Sequence, residues 1–466
     1  MQAVISIFEA ENVPLDYQYV DMGKQVYLGG DSSGMTEEAR KTVEKNGILF
    51  KGPMETPKGR GVKSINVTAR KVWNTFANRR VFRTLKGVNT IHSNAGIPIE
   101  LTIIRENIED TYGGIEHMLT HDVALCRRFI TRPGSEQVHR YAFEVAKARG
   151  VKQVTCGHKA NIMKITDGLF LETFYEVAKD YPEIKANDKI IDDLAMKLVS
   201  IPDQFGIIVL PNLQGDIISD LCAGLVGGLG FAPSANVGNN ISIFEAVHGT
   251  APDIAGKNIA NPTSLLLSGI MMLQHVGLDR SAARIQAALN KTLEDGIHTG
   301  DFGDGNTPPV NTTEFANAII ENLKHVSGYE ETKNQIDFTP PPNLQEQRMM
   351  ESPRTGEETI HGLDFFTDNN MNNQKLAEIL QNEVDTDKLK LTMISNRGTQ
   401  VWPSWSNYTE CINQPRIRYE DTTGKGVTQQ DILEVAARMA KVNRICSMEL
   451  LLKIDGKPMF SLAQGQ

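Results

Sequence analysis

The chain has 466 residues, 23% of them charged and 40% hydrophobic, and a formal net charge of -9. That length suggests two or three domains, and the acidic balance without a long basic run argues against a nucleic-acid partner. No apolar stretch reaches the roughly 18 residues needed to span a membrane, and five scattered cysteines without a C-x-x-C pair fit a reducing compartment better than a disulfide framework or a zinc site.

In chain order, QAVISIFEAENV at the start reads as a helix. From there to about residue 330, strand-like apolar runs alternate with amphipathic helices, which predicts an α/β layered fold. ELTIIRE (100–106), QVTCGHKA (153–160) and FGIIVLP (205–211) read as strands. SEQVHRYAFEVAKARG (135–150) and RSAARIQAALNKTLEDG (280–296) read as helices, the second closed by glycine. ANPTSLLLSGIMML (260–273) is too short and too polar at its start to cross a membrane and reads as a buried helix. Residues 337–359 are proline-rich without an apolar period and read as a linker. Beyond it, LDFFT and KLKLTMIS look like strands and QQDILEVAARMAKVNRI like a helix, so 360–466 forms a small α+β domain.

Four constellations carry chemistry. NLQGDIISD (212–220) reads as a loop running into a helix after a buried strand. Asp216 and Asp220, four apart, would then project from one face, and hard oxygen donors suit Mg²⁺ or Mn²⁺. SINVTAR (64–70) supplies Ser64, Asn66 and Arg70, with Arg80 and Arg105 downstream. Guanidinium forks match carboxylates, so the set could clamp a substrate bearing several. Tyr112 could deliver a proton, and Lys159 in GHKANIMK could take one. In FEAVHGTAPDIAGKNIANP (244–262), small residues allow close approach to a ligand, and Asp253 could accept from ribose hydroxyls. The chain has no G-x-G-x-x-G run. Taken singly, each constellation is equally a solvated acidic face, exposed arginines or structural side chains.

Together these motifs, with KGPMETPKGRG, IIRENIEDTYGGIEH and TRPGSEQVHRYAFEVA in the same order over residues 1 to about 328, closely resemble the β-decarboxylating dehydrogenases, the family of isocitrate and 3-isopropylmalate dehydrogenases. The resemblance implies an α/β, non-Rossmann, two-domain core over 1–336, the linker 337–359, and an accessory α+β domain over 360–466. It implies a homodimer whose clefts are completed across the interface. Thr56, Ser64, Asn66, Arg70, Arg80 and Arg105 would then bind substrate carboxylates. Tyr112 would protonate the enol. Lys159 would transfer a proton in the partner's site. Asp216 and Asp220 would hold Mg²⁺ or Mn²⁺ from their own chain, with Asp192 of IIDDLAM reaching it across the interface. His248, Gly249, Thr250, Asp253, Ile254 and Asn261 would hold the nicotinamide cofactor. The polar Ser64 and Asn66 point to isocitrate, with homoisocitrate weaker and 3-isopropylmalate disfavoured. Family members that use NADP are similar in carrying Lys-Tyr where this chain has Asp253 and Ile254, and often Tyr and Arg at Gly300 and Asp304, so NAD is expected.

KLTMISNRGTQVWP and the closing SLAQGQ resemble the extra domain of a longer, mostly bacterial subgroup of isocitrate dehydrogenases, thought to support oligomerisation. The family's opening strand and GDGIGPE loop are missing here, which suggests a truncated sequence and keeps a non-catalytic regulatory subunit as the rival reading. The compartment would be cytoplasmic in a bacterium and mitochondrial in a eukaryote.

Overall fold

The computed structural model describes residues 1–55, 64–303, 305–326, 356–403 and 408–463. These form two compact units, one of residues 1–113 with 128–326 and one of residues 114–127 with 356–463. Among the described residues no helix is long and apolar enough to cross a membrane. The cysteines are free.

The first unit is built on a mixed eight-stranded sheet. Its spatial order is β1 (Ile48–Lys51), β10 (Ser242–Ala246), β9 (Pro233–Val237), β2 (Ala77–Arg83), β3 (Glu100–Glu106), β8 (Ile207–Leu210), β6 (Gln153–His158) and β7 (Lys185–Ile190). β3, β8, β6 and β7 run parallel to one another, and β10, β9, β2 and β3 are joined by antiparallel pairings. The three strands expected from sequence in this unit are therefore neighbours, flanked by β2 and β7. β8 is apolar at every position because both of its faces are covered. Ile207 and Val209 enter one core with Val154 and Cys156, whereas Ile208 and Leu210 enter another with Leu194 and Leu198. Helices Arg132–Ala148, Thr263–His275 and Asp279–Glu294 cover the first face, and Ile191–Ser200 and Asn212–Leu225 the second. Helix Thr263–His275 is buried along most of its length, as its apolar run predicts.

The passage from β8 to the aspartates differs from the expected loop. Pro211, with φ -56° and ψ 161°, turns the chain straight from strand into helix, so the helix starts at Asn212 and holds Asp216 and Asp220 well inside it. A ring-fixed φ removes the need for a polar turn. Gly215 then lets the helix lie against β3, because a Cβ there would come within 2.6 Å of Arg105 Cγ.

The second unit carries a six-stranded antiparallel sheet in the order β13 (Thr399–Trp402), β12 (Leu389–Asn396), β14 (Arg416–Asp421), β11 (Glu358–Asp368), β15 (Arg444–Ile454) and β16 (Lys457–Pro458). Helices Asn373–Glu383 and Gln429–Val442 pack on it around Leu363, Phe365, Leu380 and Val435. A hairpin from the first third of the chain, β4 (Glu116–Met118) and β5 (Ala124–Cys126), clusters with this unit. Arg127 pairs with Glu449 at 2.9 Å. The expected linker 337–359 lies, as far as residue 355, outside the described residues; β11 begins at Glu358.

Candidate active site

The site forms where β2 and β3 present polar side chains to the helix Asn212–Leu225, with Glu245 of β10 holding Arg70 nearby. Alternation along β2 and β3 sends Arg80 and Arg105 toward that helix. Arg105 is 1% exposed. Its Nε and Nη2 donate to Asn212 Oδ1 at 3.0 and 2.8 Å, and Nη1 donates to Asp216 Oδ1. Arg80 Nη2 reaches the same oxygen at 3.4 Å, and its Nη1 lies 4.0 Å from Asp220. Tyr112 stacks over the Arg105 guanidinium at 4.8 Å and donates its hydroxyl to Asp216 Oδ2 at 2.7 Å. Three arginines expected to bind substrate are thus held by protein carboxylates. Arg70, the third, donates to Glu245 at 2.9 Å.

The electrostatics follow from crowding. Burial, and then Arg105 beside it, lower the Arg80 guanidinium to about 10. Burial pushes the Tyr112 phenol up, with Arg105 partly opposing, so the hydroxyl stays protonated. Burial would raise Asp216, but Arg105 and Arg80 outweigh it and hold the carboxyl below its ordinary value. Burial, and then Asp216, push Asp220 above its ordinary value against the pull of Arg80. Burial would also raise Glu245, yet Lys51 and Arg70 hold it far below the usual carboxylate range.

A cleft of about 320 Å³ opens beside this cluster, lined by Asn66, Arg70, Arg80 and Ser234 on one side and by His248, Gly249 and Thr250 on the other. Arg70 Nε, Arg80 Nη1 and Asn66 Oδ1 are buried there without a hydrogen-bond partner among the described residues. A buried orphan donor is costly, so the two guanidinium N–H groups point to a ligand that supplies acceptors, and the Asn66 oxygen to one that also carries a donor such as a hydroxyl. Around the cleft and the adjoining cluster five cations (Lys24, Lys51, Arg70, Arg80 and Arg105) pair with four carboxylates (Glu55, Glu245, Asp216 and Asp220).

The remaining expected residues divide. Ser64 caps the helix Ile65–Val72, its hydroxyl accepting from the Val67 amide at 3.4 Å. Thr56 and Asp304 lie outside the described residues. Asp253 and Ile254 sit on a 3₁₀ turn beyond the cleft, with Asp253 exposed. Asn261 bonds Asp301 at 3.1 Å. Lys159 and Asp192 pair with each other, and neither bonds to the arginine–aspartate cluster. Sequence reading passed over Glu245, Asn78, Asn212 and Asn236. Asn78 Oδ1 accepts a hydrogen bond from Arg80 Nε at 2.7 Å, and Asn236 donates to Glu245 at 2.8 Å. The available signal was Glu245 itself, a lone acid inside the apolar run SIFEA, which a buried strand tolerates only when paired.

Paired aspartates suit a hard divalent cation by donor type. Among the described residues of one chain no third His, Cys, Asp or Glu completes a metal-holding group with them. Fold and site together define an α/β protein with a cationic cleft beside a carboxylate pair. The chain belongs to the isocitrate/isopropylmalate dehydrogenase family, which it matches over residues 1–319; residues 358–466 match the C-terminal domain of bacterial isocitrate dehydrogenase. It is 41% identical to the isocitrate dehydrogenase (NADP) of Thermus thermophilus, covering 100% of this chain and 93% of that relative. It is 44% identical to the mitochondrial isocitrate dehydrogenase (NAD) subunit 2 of Schizosaccharomyces pombe, over 69% of this chain and 84% of the relative. The crystal structure of the TT0538 protein from Thermus thermophilus superposes with a TM-score of 0.90 at 41% identity, covering 100% of this chain and 93% of the other.

Proposed function

We propose that this chain is a catalytic isocitrate dehydrogenase that oxidises and decarboxylates isocitrate to 2-oxoglutarate with NAD, as a homodimer with shared sites. The observation that carries this is the charge of the cleft. With Glu55 and its partner Lys24 included, five cations exceed four carboxylates by one. A divalent cation at Asp216 and Asp220 brings the excess to three, which a tricarboxylate neutralises. A substrate with an isopropyl group in place of one carboxylate leaves a charge uncompensated and sets an apolar group against a polar lining.

When bound, the divalent cation would counter the negative oxygen charge that develops as CO₂ leaves, and the nicotinamide would accept the hydride. The chain's own residues do the rest. Arg70 and Arg80 turn their orphan N–H groups to the substrate carboxylates. Arg105 orients the Tyr112 ring and, with Asp216, sets its hydroxyl. Tyr112, kept protonated by burial, gives its proton to the carbon that has lost CO₂. Lys159 and Asp192, paired apart from this cluster, serve the partner's cleft.

The cofactor reading rests on Asp253. An exposed carboxylate on the turn beyond His248, Gly249 and Thr250 accepts from ribose hydroxyls and repels a 2′-phosphate. The relatives named above differ in the cofactor of their names, so the test is direct. Rates of nicotinamide reduction are measured with isocitrate, homoisocitrate and 3-isopropylmalate, each with NAD and with NADP, with Mg²⁺ present. The fastest pair is expected to be isocitrate with NAD. A preference for NADP would overturn the cofactor assignment alone, and a preference for 3-isopropylmalate the substrate assignment.

A further inference from the structure

A second cavity, of about 300 Å³, lies on the other face of the first unit's sheet. β2 contributes to both sites, because its side chains alternate. Arg80 points to the cleft, whereas Arg79, Val81 and Arg83 line the rear cavity. One wall of that cavity is apolar, formed by Leu267, Ile270 and Met271. The opposite side carries the guanidiniums of Arg79, Arg83 and Arg149.

These cations are under-compensated. Arg83 and Arg149 share one acid, Glu100. Arg79 Nε is buried without a hydrogen-bond partner among the described residues. Asp279, which also lines the cavity with a buried Oδ1 lacking a partner, offsets one of the three cations, so with Glu100 the count is three cations to two acids. Burial and then the neighbouring Arg83 and Arg79 lower the Arg149 guanidinium, the mark of like charges held together. A guanidinium kept in a half-enclosed cavity without an acceptor is costly, and an anion is the ligand that relieves it. The apolar wall adds a preference for a ligand with a hydrocarbon or ring body, and the volume is at the small end for ligand pockets.

We propose that this rear cavity is a second binding site, for a small organic anion. Its carboxylate or phosphate head sits at Arg79, between Arg83 and Arg149, and its apolar body lies on Leu267, Ile270 and Met271. The site is independent of the isocitrate reading.

The test is titration calorimetry on the full chain with three probes: 1-naphthoate for a carboxylate head, AMP for a phosphate head, and inorganic phosphate for the head alone. The expected result is saturable binding of at least one organic probe, at least tenfold tighter than inorganic phosphate. Arg79→Gln should weaken it tenfold or more. Ala287→Phe, which fills the cavity from helix Asp279–Glu294 and leaves every arginine in place, should do the same and guards against misfolding of the first variant. A melting temperature near that of the unmodified chain establishes that each variant is folded. The proposal is overturned if neither organic probe saturates the unmodified protein, if inorganic phosphate binds as tightly as both, or if folded Ala287→Phe binds them unchanged.

Discussion

Glu245→Gln tests the packing logic of the site most sharply. Glu245 is 5% exposed and binds Lys51 and Arg70 at once, with Asn236 donating to it at 2.8 Å. Glutamine keeps the volume but replaces one acceptor oxygen with an N–H₂ group that faces cationic donors. Breaking a buried pair by removing one partner costs about 3–5 kcal/mol. At roughly 2 °C per kcal/mol for a large unit, the melting temperature should fall by about 6–10 °C. The pH dependence has a definite sign. Glu245 is depressed in the folded chain, so its stabilising contribution is complete above the unfolded carboxyl value of about 4.3 and is lost as pH falls below it. The gap between unmodified protein and variant should therefore be constant from pH 6 to 8, taken as roughly neutral conditions, and narrow only in acid. Activity should show a KM for isocitrate raised about tenfold with a smaller change in kcat, because Arg70 loses its anchor in ground and transition states alike. Thermal melts across pH, with steady-state kinetics at neutral pH, read all of this. A variant that melts within about 2 °C of the unmodified protein and keeps its KM would refute the assigned role of Glu245.

Other substitutions separate the remaining roles. Tyr112→Phe removes the hydroxyl that bonds Asp216 at 2.7 Å; kcat should drop about 10²–10⁴-fold with little change in KM, and a rate near normal would remove Tyr112 from proton delivery. Asp220→Asn should weaken Mg²⁺ binding at least tenfold, about 1.4 kcal/mol less stabilisation by a given excess of Mg²⁺, read as a smaller Mg²⁺-induced rise in melting temperature. An unchanged rise would place the metal elsewhere. Asp253→Lys with Ile254→Tyr should shift the NADP to NAD ratio of kcat/KM at least tenfold toward NADP, and an unmoved ratio would show that the turn at 253 does not read the 2′ position.

Much of this architecture was legible because period and burial agree. ELTIIRE, QVTCGHKA and FGIIVLP became adjacent strands, and the apolar run at 263–275 became a buried helix. The entry to helix Asn212–Leu225 was less legible, since NLQG reads as a turn by composition and only Pro211 and the packing of Gly215 on Arg105 make it helical. The placement of residues 114–127 with the C-terminal unit depends on contacts such as Arg127 with Glu449, hundreds of positions apart in sequence, which no local pattern announces. Motif reading found the arginines and the two aspartates but missed Glu245 and did not pair acid with arginine. Which acid holds which arginine is decided by register, as where Asn78 and Arg80 of β2 lie opposite Asn236 and Ser234 of β9.

The central claim is oxidative decarboxylation of isocitrate, and the most direct test is stoichiometry. With isocitrate, NAD and Mg²⁺, released CO₂ and reduced nicotinamide are counted in the same reaction. The account predicts one CO₂ for every nicotinamide reduced, with both abolished by a chelator. Reduced nicotinamide without CO₂, or neither product from a folded protein with both substrates supplied, would contradict it.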